Sequence, residues 1–318
     1  MAAKRSVILM AGCLLLMTAL AGQAADNSTS DDFFKQFERD RFQTDRPSAE
    51  PLNQRNPFEE PDKLFQKEKT VSPAPQSASP KELHVGLRDV INALEKPFQS
   101  GRADNQLRIR DYSADFFQES RIASLDRLQR ASGEVRVLFD YRSGYRDDVP
   151  TVMFHWQYEQ PTRQELVSDG KTMWVYLPEN NQVIQSDIEM VSQARENDPM
   201  TFLTGLGNLS RDFQISYAVP NQDVAGNYVL DMRPRRSTAL INRMVIVVDR
   251  AAAEASAANS GVLIFPILSS TVYDPNGNST TIEFSDIRVN RGISAGQFNF
   301  IMPPGVEVVR PTGKEMGF

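Results

Sequence analysis

The spacing of apolar positions changes along the chain. In ELHVGLRDVINALEKPF, residues Leu83, Val85, Leu87, Val90, Ile91 and Leu94 share one face at helical spacing, which predicts a helix over 83–98. Beyond it the period drops to two. IRDYSADFFQES, ASGEVRVLFDYRS, TVMFHWQYEQP, ELVSDGKTMWVYLPENNQVIQSD, FQISYAV, NYVLDMRP, INRMVIVVDR, GVLIFPILSSTVYD, TTIEFSDIRVN and QFNFIMPP alternate, or are rich in β-branched and aromatic residues. About ten strands are predicted, with SLDRLQRASG as the turn between the first two. DPNGNS, Asp274 to Ser279, is a strong hairpin signal. Two stretches interrupt the strands. SQARENDPMTFLTGLGNL is apolar at Met200, Phe202, Leu203, Leu206 and Leu209 but broken by glycine, as a movable lid helix would be. DRAAAEASAANSG reads as a loop or a short helix. The expected fold is mainly β with some helix (α+β): an antiparallel sheet so large that it must curl towards a barrel, covered by helices at 83–98 and 188–209.

The two ends of this pattern differ from its middle. Lys4 and Arg5 precede an apolar run, Ser6 to Ala21, and Gly22-Gln23-Ala24 supplies small residues for cleavage. Residues 1–24 therefore read as a secretory signal peptide, and the mature protein as exported. The chain has one cysteine, Cys13, inside that run, where LMAGC resembles a lipoprotein-processing box. Cleavage at Ala24 leaves no cysteine for a disulfide or a thiolate site. Residues 25–80 are rich in charge, Gln, Ser and Pro and read as a disordered arm, so the folded domain is expected over 81–318. The formal net charge of −6 falls by two more units once Lys4 and Arg5 are removed. Such a balance argues against nucleic acid as a partner.

Candidate chemistry is sparse. Gly170-Lys171-Thr172 looks like the end of a phosphate loop, but Glu165 stands where the first glycine is needed, and MWVYLP after it is strand-like rather than helical. SDGK is better read as a two-residue hairpin turn with Asp169 and Gly170 at its tip. The two histidines, His84 and His155, have no partners at ligand spacing, and His155 alternates with Phe154, Trp156 and Tyr158 as an exposed strand residue would. No catalytic site, metal or cofactor is expected. Aromatic faces on the strands remain: Phe154, Trp156 and Tyr158 on one, Trp174 and Tyr176 on another.

In order along the chain, SADFFQES, ASGEVRV, MFHWQYEQP, LVSDGKTMWVYLPENNQV, NDPMTFLTG, VYDPNGNSTTIEFSDIRVN and FNFIMPPGVEVV resemble the LolA family of periplasmic outer-membrane lipoprotein carriers. The resemblance runs from about Leu87 to the end of the chain. It implies an incomplete β-barrel, lined with apolar residues and covered by helices, that holds the acyl chains of lipoproteins. It implies a monomeric periplasmic carrier that takes acylated lipoproteins from an inner-membrane ABC release transporter to an outer-membrane acceptor. Carried over by position, the cargo-binding residues would be Phe117, Phe154, Trp156, Trp174, Tyr176, the lid residues Phe202, Leu203 and Leu206, and Phe298 and Phe300 on a closing strand. For Trp174 and Tyr176 an outward, structural role is an equal alternative. The family's lid-latching arginine before the aromatic strand is replaced here by Val149, with Arg146 nearby. Two other readings use the same sheet: a periplasmic sensor or regulator of lipid or protein signals, and an outer-membrane-anchored acceptor that would need a lipidated Cys13.

Overall fold

The computed structural model describes residues 84–99, 107–141, 150–187, 206, 209–237 and 241–310. The expectations placed on residues 1–80, on Arg146 and Val149, and on the lid helix with Met200, Phe202 and Leu203 lie outside them, apart from Leu206 and Leu209. The first described element is the expected helix, α1 (Leu87–Glu95), continued by a short 3-10 turn to Phe98. Asp89 caps it by accepting from the Gly86 N–H at 3.0 Å. Its apolar stripe buries Val90 and Leu94.

Among the described residues twelve strands follow, where the pattern suggests about ten: β1 (Asp111–Ile122), β2 (Arg127–Asp140), β3 (Thr151–Gln160), β4 (Gln164–Ser168), β5 (Thr172–Leu177), β6 (Gln182–Asp187), β7 (Phe213–Gln222), β8 (Tyr228–Pro234), β9 (Arg243–Val248), β10 (Ile267–Tyr273), β11 (Ser279–Val289) and β12 (Glu307–Val309). They form a single sheet in the order β12-β6-β5-β4-β3-β2-β1-β11-β10-β9-β8-β7. Every pair is antiparallel except β12–β6. Among the described residues the sheet does not close, and β7 and β12 are its edges. A single helical turn, α2 (Leu209–Asp212), leads into β7, and its Ser210 N–H donates to Glu95 Oε1 of α1 at 2.7 Å. One face of the sheet shares a continuous core with α1, and that core takes residues from β1 to β5 and from β7 to β11. We call this the inner face.

Three local departures from the sequence pattern have physical causes. SLDRLQRASG is mostly strand: the chain reverses over Ala123–Leu125, with Asp126 in the left-handed region at φ 45°, and β2 begins at Arg127. The SDGK turn has its tip one residue later than expected, because Asp169 Oδ1 accepts from both the Lys171 and Thr172 N–H at 2.8 Å and so closes the loop around Gly170 and Lys171. The alanine-rich insert is a helix, α3 (Arg250–Ala257), capped by Asp249 and packed on α1 through small side chains that allow close approach.

The DPNGN hairpin has a twin. Asp223–Asn227 and Asp274–Asn278 are built alike: the aspartate Oδ1 accepts from the N–H two and four residues on, and Oδ2 accepts from the asparagine Nδ2. Each asparagine Oδ1 then accepts from another element, Asn227 from Arg250 N and Asn278 from Ala123 N. These turns therefore fix α3 and the β1–β2 turn as well as their own hairpins.

Candidate functional site

Alternation decides what lines the inner face. Along β1, Tyr112, Ala114 and Phe116 are buried, with Gln118 and Ser120 after them. The ladder sets Phe116 opposite Gly133 of β2, and Gly133 opposite Tyr158 of β3. With no side chain between them, the Phe116 ring meets Tyr158 at 4.9 Å and Trp156 at 4.8 Å, both edge-on. Phe154 and Trp156 belong to the same core, only 2% and 3% exposed. Leu206 joins it as well. Farther along, Tyr112, Phe98, Phe139 and Phe265 form a second aromatic group, with Tyr112 and Phe265 4.7 Å apart. Burial pushes the Tyr112 hydroxyl pKa well up, which keeps it neutral.

The opposite face carries a separate apolar layer. Val167 of β4, Trp174 and Tyr176 of β5 and Val183 of β6 lie side by side by register. The chain after β11 runs back over them. Asp111 and Asn290 fix where it starts: Asp111 Oδ1 accepts from Arg291 N at 2.7 Å, and Asn290, at φ 54°, accepts from Arg110 N at 2.7 Å. This strap, 291–310, turns through a 3-10 segment, Ala295–Phe298, against β3 and ends as β12 on β6. Phe298 is wholly buried, and Phe300 stacks on Trp174 at 5.7 Å and meets Tyr176 at 6.2 Å.

Five of the ten residues singled out from sequence therefore sit away from the inner face. Phe117 points to the face opposite Phe116, alongside Asp115, Glu119 and Arg121. Those charged neighbours at period two were the available signal. Trp174 and Tyr176 take the outward alternative, and Phe298 and Phe300 lie in the strap rather than on a closing strand. The Asn299–Phe300 region forms no ladder because it crosses the sheet instead of extending it. Phe154, Trp156 and Leu206 are on the inner face. Missed there were Tyr112, Phe116, Phe139 and Phe265.

His155, expected to be exposed, is only 16% exposed on the strap side of β3, with Nε2 3.4 Å from Glu165 Oε2. The imidazole holds the Glu165 carboxyl below the usual carboxylate range, while burial works the other way. A depressed folded-state pKa stabilises the fold above the unfolded value, and that contribution is lost as pH falls through the folded value. Glu165→Gln is therefore expected to lower the melting temperature at pH 7, and the gap to the unsubstituted protein should shrink below about pH 4. A gap that stays constant from pH 7 to pH 3 would show that the pair contributes nothing. Among the described residues no group of three or more His, Cys, Asp or Glu is placed to hold a metal ion, and no helix is long and apolar enough to cross a membrane.

The fold and its lining define an open antiparallel sheet wrapped on a helix-covered apolar interior. Residues 108–301, from just before β1 into the strap, match the family described as outer membrane lipoprotein carrier protein LolA, and the chain belongs to that family. It is 27% identical over 203 residues to an outer-membrane lipoprotein carrier protein of Hahella chejuensis, spanning 64% of this chain and 83% of that one. It is similarly 27% identical over 205 residues to one from Chromohalobacter salexigens, again spanning 64% and 83%. Among solved structures, an uncharacterized conserved protein from Thermus thermophilus aligns with a TM-score of 0.39 at 14% identity, over 70% of this chain and 98% of that chain.

Proposed function

We propose that the protein is a periplasmic carrier that holds the acyl chains of lipoproteins against its inner face and moves them from the inner to the outer membrane. The observation that carries this reading is the inner face itself: aromatic and aliphatic side chains from both wings of one sheet, facing a common interior under α1. Withdrawing a methylene from water is worth about 0.8 kcal/mol, so a long acyl chain left bare would cost on the order of ten kcal/mol. A carrier has to offer dry concave surface, and that requirement is met by packing rather than by reactive groups. Family membership adds the cargo class, since the matched relatives are named as outer-membrane lipoprotein carriers. In this reading an inner-membrane ABC transporter loads the carrier, an outer-membrane acceptor unloads it, and the carrier works as a monomer. Residues 1–24 act as its export signal, and 25–80 remain an arm outside the carrier domain.

The test is recovery of cargo. The protein isolated from periplasm is expected to bring with it proteins whose N-terminal peptides carry acyl groups, read by mass spectrometry. Recovery of unacylated partners alone would overturn the carrier reading.

A further inference from the structure

We propose that the inner face beside the β1–β2 turn is a subsite for the carbonyl linkages at the root of an acylated cargo's chains, with the Gln129 side-chain amide as its recognition group. This rests on the carrier reading above. Most of the inner face is hydrocarbon and aromatic ring, but this end is polar. Tyr158 Oη donates to Gln118 Oε1 at 2.9 Å, and Gln118 Nε2 donates to Ser120 Oγ at 3.2 Å. Ser120 Oγ and Thr280 Oγ1 share a hydrogen bond of 3.1 Å. The chain of bonds thus ties β3, β1 and β11 together, and Gln118, Ser120 and Thr280 are all buried. It uses its own groups on one another.

Gln129 stands at the edge of this network with its groups unused. It pairs with Ser120 across the β1–β2 ladder, so it shares the inner face. Its Nε2 and Oε1 are both shielded from solvent, and neither hydrogen-bonds to any protein group among the described residues. An amide buried in this way is costly unless something satisfies it. A hydrocarbon chain offers nothing to it. An ester carbonyl can accept from Nε2–H, and a secondary amide can accept there and donate to Oε1 as well. These are the groups by which fatty chains are joined to a lipoprotein's terminus.

The layout suits such a ligand. From Ser120 back to Tyr112 the inner face runs eight residues along β1, about 26 Å at strand rise, on the order of an extended fatty chain. The linkage end would rest at Gln129, and the chains would run past Phe116 and Trp156 towards Tyr112 and Phe139.

The experiment compares two synthetic lipopeptides that differ only at the glycerol, one a dipalmitoyl diester and the other the matching dialkyl ether. Dissociation constants are read by displacement of a fluorescent fatty-acid probe from the full chain. The unsubstituted protein is expected to bind the diester about tenfold more tightly, a difference of about 1.4 kcal/mol. Gln129→Leu is expected to bind both at the ether's affinity. Because the readout is a ratio within one protein, a change in folded fraction cancels. Gln129→Met, unbranched and similar in length, gives the same readout should the leucine variant fail to fold. Equal binding of both compounds by the unsubstituted protein, or a tenfold preference retained in both variants, overturns the subsite and leaves the carrier reading standing. Binding of neither compound overturns both.

Discussion

Gly133→Ala is expected to destabilise the protein by about 4 kcal/mol or more, in the exceptional tail of single substitutions. Gly133 sits in β2, where the β2–β3 register slips between Ser132 and Gly133. A Cβ built there would land on the Gln157 carbonyl oxygen and lie 2.9 Å from the Gln157 carbonyl carbon and 3.0 Å from Tyr158 Cα. All three atoms are backbone of β3, so no rotamer change relieves the overlap. Either β3 moves out of the ladder or the bulge re-forms elsewhere, and a one-residue slip would turn the aromatic face of β3 outward. The glycine also leaves room for Phe116 and Tyr158 to meet over it. Urea denaturation of the purified variant measures the effect. A loss of less than about 1 kcal/mol would mean that the two strands yield far more easily than a paired ladder should.

Phe298→Ala is expected to cost about 3–5 kcal/mol of stability, the range for emptying a buried aromatic site. Phe298 belongs to the strap and is wholly buried, yet it is not part of the core that lines the inner face. The expected consequence is a separation of effects. The denaturation midpoint falls, while the affinity of the remaining folded protein for an acylated peptide stays within about twofold, since no inner-face contact is removed. Phe154→Ala, on the inner face, is expected to lose both. Calorimetric melting together with lipopeptide titration at a temperature where both variants are folded distinguishes the two. A tenfold loss of affinity in Phe298→Ala would place the strap layer in the binding site after all.

The legible part of the fold was local. Period-two stretches appear as strands wherever one face is apolar, as in TVMFHWQYEQ or RMVIVV, because the pleat itself sends alternate side chains to opposite faces. The start of β2 was not legible because neither of its faces is regularly apolar: Leu128, half-exposed, is followed on its face by Arg130 and Ser132. Gln129 shares the inner face with the hydrogen-bonded end of β1, and on the other face Arg130 Nε donates to Glu119 Oε2 at 3.0 Å. The ladder continues there without the hydrophobic signal that normally marks it. The site was partly legible for a similar reason. Alternation shows that Phe154 and Trp156 share a face, but which face of β5 meets the common core depends on what lies across from it.

What the sequence determined by itself was the type of most elements, the DPNGN hairpin and the family: these depend on spacing, on aspartate, asparagine and glycine at fixed offsets, and on an ordered series of short motifs. What only the tertiary structure decided was sidedness. Trp174, Tyr176 and Phe300 are as apolar as the inner-face residues, and they pack together because the chain after Asn290 crosses to the other side of the sheet, where Phe298 is buried too. Hydrophobicity favours burial of a side chain. The partner it is buried against is set by contacts more than a hundred residues apart in the chain, and no local pattern encodes them.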